Sequence, residues 1–214
     1  MPYDFLYQDR RDGGRNLARR LWHYRDRPDA IVLALPRGGV PVGYEVATEL
    51  HVPLDVLVVR KLGVPRHEEL AFGAIASGGM RVLNDEVIRE LRLPDRIIEV
   101  VSQRERNEVE RRERQFRGAR PLPSLELKTV ILVDDGLATG ATMLAAARTT
   151  RLRNPARVII GVPVAHPRTC NELRGEADDV ICAATPDLFS AVGQWYANFE
   201  QTSDEEVQTL LRLS

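Results

Sequence analysis

Two adjacent carboxylates, followed by a glycine- and threonine-rich loop, are the residues of this chain that best suit chemistry. In VILVDDGLATGATM, residues 130–143, an apolar run ends at Asp134 and Asp135, and an alanine-rich helical pattern begins after Gly140. Backbone N–H groups at the start of a helix, together with the hydroxyls of Thr139 and Thr142, form a cradle for a phosphate. The residue after Gly140 is not lysine, so this is not the phosphate loop of a nucleoside triphosphatase.

The carboxylates raise a question of charge, because they stand beside a site for an anion. At about 4 Å and an intermediate dielectric, a carboxylate and a phosphate repel each other by several kcal/mol. The arrangement makes sense if the ligand also carries vicinal hydroxyls that donate to the carboxylates and a divalent cation that offsets the remaining repulsion. One ligand combines these parts, namely 5-phosphoribosyl 1-pyrophosphate (PRPP) with bound Mg²⁺.

Two further polar segments follow predicted strands. Arg37, Gly38 and Gly39 lie in LPRGGVPVG, where paired glycines let backbone N–H groups converge on a phosphate, although an ordinary strand–helix turn would look the same. Arg60 and Lys61 lie at the end of the next predicted strand. The polar, glycine-rich residues 64–77 after them are interpreted as a lid, with a plain surface hairpin as the alternative.

Short apolar runs alternate with helical patterns along the chain. Five runs are rich in β-branched residues and largely unalternated, which is typical of strands buried on both faces of a parallel sheet; they cover residues 30–36, 54–62, 129–135, 157–165 and 179–184. Helices are predicted over 41–50 and 140–152. The alternation predicts an α/β fold with a doubly wound, mainly parallel five-stranded sheet, whose ligands bind beyond the carboxyl ends of the strands.

The flanking regions are predicted to be helical. An N-terminal helix within residues 4–27 is reached through Asp12-Gly13-Gly14, a helix pair over 85–117 is split at Leu93-Pro94, and a capped last helix follows Ser203. The arginines in the second helix of the pair are interleaved with glutamates, which indicates a solvated helix face rather than a nucleic-acid surface.

Length and composition bound the function. With 214 residues the chain fits one domain, and a net charge of -1 with a pI of about 6.5 gives no basic field for nucleic acid. No stretch approaches the roughly 18 apolar residues of a membrane span. Cys170 and Cys182 match no metal-binding spacing and suit a chain whose thiols stay reduced. We therefore expect a cytoplasmic protein without nucleic-acid or membrane partners.

The motifs, in this order, resemble those of the type I phosphoribosyltransferases. VILVDDGLATGAT is similar to their PRPP-binding motif, ALPRGGVPVG to their pyrophosphate loop, and VVRKLG to the basic turn before their flexible lid. The whole chain is similar to a group of bacterial phosphoribosyltransferases of unassigned substrate, some of which are fused to hydrolase domains. The resemblance implies a single domain over 1–214 with a core of about 28–185, a hood from the N-terminal helix and the C-terminal segment, a lid of about 64–77, and a homodimer.

The resemblance also implies a role for each motif. Asp134 and Asp135 would hold the ribose diol and be the chain's own contacts to a Mg²⁺ ion carried mainly by PRPP, while Arg60 and Lys61 would neutralise the pyrophosphate. A larger set would bind substrate: Arg37, Gly38 and Gly39 the pyrophosphate, and Gly136, Ala138, Thr139, Gly140, Ala141 and Thr142 the 5-phosphate. The family's pyrophosphate loop often contains a non-proline cis peptide, which here would join Pro36 and Arg37.

One residue departs from part of the family. Members of the hypoxanthine and guanine type carry aspartate where this chain has Ala138, which instead matches the adenine- and uracil-type loops. An acid–base residue would then come from elsewhere, and the candidates are His67, Glu68, Glu69 and His166. His166, after the fourth predicted strand, is either a substrate contact or an exposed loop histidine. Three aromatic residues either cap the pocket or pack the terminal segment onto the core: Trp195, Tyr196 and Phe199.

Two functions of different classes are consistent with these features. The first is Mg²⁺-dependent transfer of the 5-phosphoribosyl group from PRPP to a nitrogenous base or similar small acceptor, with release of pyrophosphate, in nucleotide metabolism. The second is a PRPP-binding regulatory protein without catalysis, which would not need a lid. A metal hydrolase that uses the aspartate pair is disfavoured, because no histidine or further carboxylate lies nearby in the sequence. We expect the enzyme.

Overall fold

The computed structural model describes residues 5–214, apart from the side chains of residues 68 and 69. Strands and α-helices follow one another along these residues in the order α1 (Arg10–Arg20), β1 (Ala30–Ala34), α2 (Gly39–Leu50), β2 (Leu54–Val56), β3 (Val59–Val64), β4 (His67–Ala76), β5 (Met80–Leu83), α3 (Asp85–Glu90), α4 (Asp95–Arg117), β6 (Thr129–Val133), α5 (Ala141–Arg151), β7 (Arg157–Val164), α6 (Pro167–Leu173), β8 (Asp179–Ala184) and α7 (Asp204–Leu213).

Five strands form one parallel sheet in the order β2-β1-β6-β7-β8. Every residue of β1 and β6 is buried, and Ile31 pairs with Val130 between them. Burial on both faces explains why these strands are apolar throughout. The predicted fold class is confirmed, because the chain forms a doubly wound α/β sheet of five parallel strands.

Helices cover both faces of this sheet. On one face, α1 and α2 contribute Leu17 and Val46 to the core, and on the other α5 and α6 contribute Ala146 and Leu173. A parallel pair needs such a crossover, because the chain must return to the same end of the sheet before the next strand begins. The crossover from β1 leads to β2 on one side, whereas the crossover from β6 leads to β7 on the other.

The prediction of one strand over 54–62 is wrong in extent. Only Leu54–Val56 joins the parallel sheet, and the chain then enters Val59–Val64, the first strand of a separate antiparallel sheet in the order β3-β4-β5. Leu57 and Val58, between the two strands, are fully buried. The apolar run is therefore continuous because burial is continuous, although the chain changes sheets within it.

The second sheet also changes the interpretation of residues 64–77. Most of them form β4, which pairs with β3 on one side and β5 on the other. The segment is thus part of a hairpin, which the sequence analysis gave as the alternative to a lid. Phe72 and Ile75 point into a core that this sheet shares with α4 and α7.

The N-terminal helix differs from its prediction. α1 begins at Arg10, with the side chain of Asp9 accepting the N–H of Asp12 at 2.8 Å, so the two glycines lie inside the helix rather than before it. A side-chain carbon at Gly14 would lie 2.8 Å from the carbonyl oxygen of Val42. The glycines therefore let α1 pack closely against α2, and this packing outweighs their low helix propensity.

The remaining helical predictions are confirmed. The pair α3 and α4 is separated at Leu93 and Pro94, and Ser203 caps α7 by accepting the N–H of Glu206 at 3.1 Å. Glu108 pairs with two arginines of α4, as the interleaved charges indicate, while another face of the same helix is buried. Among the described residues, no helix combines the length and the apolar character needed to cross a bilayer.

Candidate functional site

The loops after β1 and β6 meet where the sheet changes its winding direction. β1 and β6 are neighbours, but their crossovers leave in opposite directions, so the loops beyond their carboxyl ends diverge and open a crevice. Residues 37–39 follow β1, and residues 134–142 follow β6. The structure therefore brings together two of the three segments that the sequence predicts as one site.

The loop after β1 lies directly against the aspartate pair because its residues are glycines. A side-chain carbon at Gly38 would collide with the carboxylate of Asp135, and one at Gly39 would lie 2.7 Å from the carbonyl oxygen of Val133. The peptide bond between Pro36 and Arg37 is cis, as predicted. Gly39 is also the first residue of α2, so a helix begins beside the carboxylates.

Asp134 and Asp135 extend from the end of β6 and are half-buried. The backbone N–H of Asp135 donates to Oδ1 of Asp134 at 2.8 Å. From the N-terminal helix, Nε of Arg10 donates to Oδ2 of Asp135 at 2.8 Å. From the C-terminal segment, the Tyr196 hydroxyl donates to the backbone oxygen of Asp135 at 2.6 Å. The pair is thus held by two parts of the chain that are distant from it in sequence, the N-terminal helix and the C-terminal segment.

The surroundings of the pair make both carboxyl groups harder to ionise than an exposed aspartate. Burial raises the pKa of both carboxyl groups, and the charge of Asp135 raises the pKa of Asp134 further. Arg10 acts in the opposite direction on both groups. One guanidinium therefore faces two carboxyl groups, and the site gains if a ligand brings hydroxyl donors or a cation.

Residues 137–142 form the loop that leads from the aspartates into α5. The N–H of Leu137 donates to the oxygen of Val164 at 3.0 Å, and the hydroxyl of Thr169 donates to the oxygen of Ala138 at 2.6 Å. Gly140 has a φ of 69°, a left-handed conformation that favours glycine, and α5 begins after it without a side-chain cap. The hydroxyl-bearing residues of the predicted cradle, Thr139 and Thr142, are exposed. This geometry retains uncapped N–H groups and hydroxyls at a helix start, as an anion cradle requires.

His166 lies at the carboxyl end of β7, beside the same loop. Its backbone N–H donates to the oxygen of Leu137 at 2.9 Å, and its Nδ1 accepts the N–H of Arg168 at 3.1 Å, which caps α6. Its ring meets Phe189 edge-on, with 5.8 Å between ring centroids, and Phe189 lies 6.4 Å from Trp195. The histidine therefore has a structural role as a cap, and its ring borders an aromatic cluster beyond β7 and β8.

Arg60 and Lys61 are placed differently from the prediction. They lie inside β3 rather than at a strand end, and consecutive residues of a strand point to opposite faces. Nε of Arg60 donates to the buried Glu105 of α4 at 2.8 Å. Lys61 lines a groove together with Ala141, the first residue of α5. The structure thus brings Lys61 near the phosphate loop and turns Arg60 towards a different helix.

The other acid–base candidates belong to the hairpin. His67 is exposed and pairs with Val64 at the turn between β3 and β4. The side chains of Glu68 and Glu69 lie outside the described residues. Nothing in the described part of the chain brings His67 to the aspartate pair, so the identity of an acid–base residue stays a prediction.

The aromatic residues of the C-terminal segment divide between two roles. Tyr196 is buried, which raises its pKa, and its hydroxyl bonds to the backbone of Asp135. Phe199 stacks on Tyr196 at 5.2 Å between ring centroids and on the guanidinium of Arg10 at 3.8 Å. For these two residues, packing of the terminal segment onto the core is the interpretation that the structure supports.

The expectation of reduced thiols is not what the structure shows. Cys170 of α6 and Cys182 of β8 form a disulfide bond, and the described chain has no free cysteine. The two residues are 12 apart in sequence, with a helix end and a turn between them that return the chain to the sheet. Spacing alone gives no sign of this pairing, because it arises from the packing of α6 against β8.

Two partners of predicted site residues were missed in the sequence, Arg10 beside Asp135 and Glu105 beside Arg60. Arg10 belongs to a run of polar residues whose spacing gives no functional signal, and Glu105 is one of many glutamates in α4. The only available signal for Glu105 is its position on the helical face that also carries Ile98, Val101 and Val109.

The donor set fits Mg²⁺ only as a partner of a phosphorylated ligand. Among the described residues, no group of three or more metal-binding side chains comes together. Asp134 and Asp135 supply carboxylate oxygens, which Mg²⁺ accepts, but the ion usually completes its shell with water and substrate phosphates. The pair therefore suits an ion that arrives with its ligand.

Comparisons with known proteins identify the family of the chain. A family model described as "Phosphoribosyl transferase domain" matches residues 64–199. Two Mycobacterium tuberculosis proteins, "Putative phosphoribosyl transferase MT0597" of strain CDC 1551 / Oshkosh and "Putative phosphoribosyl transferase Rv0571c" of strain ATCC 25618 / H37Rv, are each 48% identical over 206 residues. The match covers 96% of this chain and 46% of each relative, so the chain spans about half the length of the curated relatives it matches.

A solved structure matches nearly the whole chain. The crystal structure of TT1426 from Thermus thermophilus superposes with a TM-score of 0.87 at 38% sequence identity. It covers 96% of this chain, and the match spans 97% of that protein. The similarity thus includes the N-terminal helix and the C-terminal segment that hold the aspartate pair.

Proposed function

Because this chain belongs to the phosphoribosyl transferase domain family, we propose that it transfers the 5-phosphoribosyl group of PRPP to a small nitrogenous acceptor and releases pyrophosphate. One observation carries the proposal: the aspartate pair lies between two backbone loops, residues 37–39 and 137–142, that can each hold a phosphate. A ligand with phosphate groups at two ends and hydroxyls between them matches that order of donors and acceptors.

In this reaction a nitrogen lone pair of the acceptor forms a bond to C1 of the ribose. The bond between C1 and the pyrophosphate oxygen breaks, and its electron pair leaves with pyrophosphate. The acceptor nitrogen then loses a proton to solvent or to a nearby base. The transition state has the character of a ribosyl oxocarbenium ion, so the protein contributes mainly position, charge and exclusion of water.

The residues of the chain divide these tasks. Asp134 and Asp135 would accept hydrogen bonds from the two ribose hydroxyls and fix the ring. The N–H groups at the start of α5, with Thr139 and Thr142, would hold the 5-phosphate. Residues 37–39 would hold the pyrophosphate group. Mg²⁺, bound through PRPP and the aspartate pair, would supply the positive charge that the leaving group needs.

We place the acceptor between the aspartate pair and the aromatic cluster of His166, Phe189 and Trp195. These rings lie at the carboxyl ends of the neighbouring strands β7 and β8 and could stack on a flat heterocycle. The indole N–H of Trp195 is buried and has no hydrogen-bond partner among the described residues. A carbonyl or ring nitrogen of the acceptor would satisfy that donor.

Phosphorus NMR tests the proposal. Purified protein is mixed with PRPP and Mg²⁺, and purines, pyrimidines and other small nitrogen compounds are added one at a time. Appearance of pyrophosphate with one acceptor, and its absence with Asp134→Asn, would establish the transfer. PRPP signals that shift without turnover across the panel would favour a PRPP-binding regulator, and unchanged signals would reject both.

A further inference from the structure

Arg10 is the side chain that connects the aspartate pair to both ends of the chain. Its Nε donates to Oδ2 of Asp135 at 2.8 Å, and its NH1 nitrogen donates to the backbone oxygen of Glu200 at 2.6 Å. The guanidinium carbon lies 3.8 Å from the centroid of the Phe199 ring. The side chain is only 12% exposed, although it carries a full charge. A charge buried to this extent needs a partner, and here the partner is a residue of the candidate site.

The contact determines which oxygen of Asp135 can meet a ligand. Oδ2 accepts from Arg10 and packs on the backbone of Gly38, so it is enclosed between α1 and the loop after β1. Tyr196 holds the backbone of the same residue through its carbonyl. With the backbone and one carboxylate oxygen fixed, Oδ1 is the oxygen of Asp135 that remains for a ribose hydroxyl.

The contact also determines the charge of the crevice. Among the described residues, Arg10 is the one cation within ion-pair distance of either aspartate. Without it, the two carboxylates would confront a ligand that is itself an anion, and each repulsion is worth several kcal/mol at about 4 Å and an intermediate dielectric. With it, one of the two charges is already compensated before the ligand arrives.

We propose that Arg10 is a positioning residue of this site, which orients the Asp135 carboxylate and cancels one negative charge so that the crevice accepts PRPP. The inference rests on the proposed function. Arg10 reaches the ligand through Asp135, and its contacts to Glu200 and Phe199 hold the guanidinium in place.

A purely structural role would produce a different pattern of effects. If Arg10 only attached the C-terminal segment to the fold, its removal would weaken PRPP binding whether or not residue 135 is charged. If it acts through Asp135, the effect requires the carboxylate. A double-mutant cycle between the two positions separates these cases.

The experiment measures PRPP dissociation constants in the presence of Mg²⁺ by isothermal titration calorimetry. Arg10→Gln is expected to bind at least tenfold more weakly than the wild type, and Arg10→Lys to recover most of that loss because it restores the charge. In an Asp135→Asn background, Arg10→Gln should change the dissociation constant less than threefold. Arg11→Gln is the matched control, because the neighbouring Arg11 is 45% exposed and faces Glu45 instead.

Each outcome has one meaning. Binding by Arg10→Gln within twofold of the wild type, or an equal loss in both backgrounds, overturns the inference and leaves the proposed function intact. Failure of the wild-type protein to bind PRPP overturns the proposed function itself. If Arg10→Gln does not fold, the comparison uses Arg10→Lys alone and together with Asp135→Asn. Weak PRPP binding by Arg10→Lys would then contradict the proposal.

Discussion

Asp134 is expected to lower the stability of the ligand-free protein. The group is half-buried, and both burial and the charge of Asp135 raise its pKa. Arg10 bonds to Asp135 rather than to Asp134. Replacing Asp134 with asparagine removes the unfavourable charge. The asparagine keeps a side-chain oxygen that can accept the N–H of Asp135, as Oδ1 of Asp134 does at 2.8 Å in the wild type. We therefore predict that Asp134→Asn stabilises the free protein while it weakens binding of PRPP.

Coulomb's law for two neighbouring carboxylates gives the order of magnitude of the gain. Two unit charges about 5 Å apart, at an effective dielectric constant of about 20, repel by about 3 kcal/mol. Arg10 also attracts Asp134 and offsets part of this repulsion. The expected gain in the free energy of unfolding is thus about 1–2 kcal/mol, and each kcal/mol corresponds to a rise of about 2–4 °C in Tm for a chain of this size.

The gain must depend on pH. Because the pKa of Asp134 is raised in the folded state, the wild-type protein loses stability as the pH rises from the unfolded value of 3.8 through the folded pKa. Below that window residue 134 is uncharged in both proteins, so their stabilities converge. Above it, the full difference is present.

Urea denaturation without ligand, repeated across this pH range, measures the effect. Asp135→Asn is the matched comparison: it leaves the largely buried Arg10 without its carboxylate, so we expect that variant to be no more stable than the wild type. The reasoning would be refuted if Asp134→Asn were less stable than the wild type at neutral pH, or if its gain were the same at pH values below the window.

Three further predictions concern other parts of the fold. Arg117→Ala should lower the free energy of unfolding by about 3–5 kcal/mol, because its buried guanidinium bridges two carboxylates, whereas the exposed Arg111→Ala should change it by less than about 1 kcal/mol; urea denaturation compares them. Gly38→Ala should weaken PRPP binding about tenfold or more and lower the unfolding midpoint, since the backbone, at φ −59° and ψ −34°, accepts alanine but its methyl group displaces the carboxylate that pairs with the buried Arg10; calorimetric titration and thermal unfolding check this, and unchanged binding would contradict it. Reduction of the Cys170–Cys182 bond should lower stability by about 3 kcal/mol, as closure of a short loop predicts, and a Cys170→Ala/Cys182→Ala variant should not respond to reductant in thermal unfolding.

The local chemistry of the site could be predicted from the sequence because it is carried by contiguous residues. A buried strand, two carboxylates and an uncapped helix start follow one another within residues 129–142, so their order along the chain is also their order in space. The same holds for residues 36–39, where the cis bond and the two glycines lie in one turn. The parallel sheet could also be predicted from the sequence, because strands that are buried on both faces are apolar throughout.

Contacts between distant segments could not be predicted. The hydrophobic run over 54–62 shows that these residues are buried. It does not show whether the chain continues in one sheet or enters another, because the residues are buried in both cases. The disulfide between Cys170 and Cys182 follows from how α6 lies on β8, which no spacing rule contains. Arg60 and Lys61 are adjacent in sequence, but they point to opposite faces because the segment is a strand. Arg60 therefore bonds to α4, whereas Lys61 lines a groove beside α5.

The sequence by itself thus determined the fold class and the two loops that form the crevice, because periodicity and short motifs act within a few residues. Only the tertiary structure decided how the aspartate pair is balanced. Arg10 and Tyr196, from opposite ends of the chain, reach Asp135 because the packing of α1 and the C-terminal segment onto the sheet brings them there. Charge compensation depends on distance in space and not along the chain, so the residue that settles it can come from anywhere in the sequence.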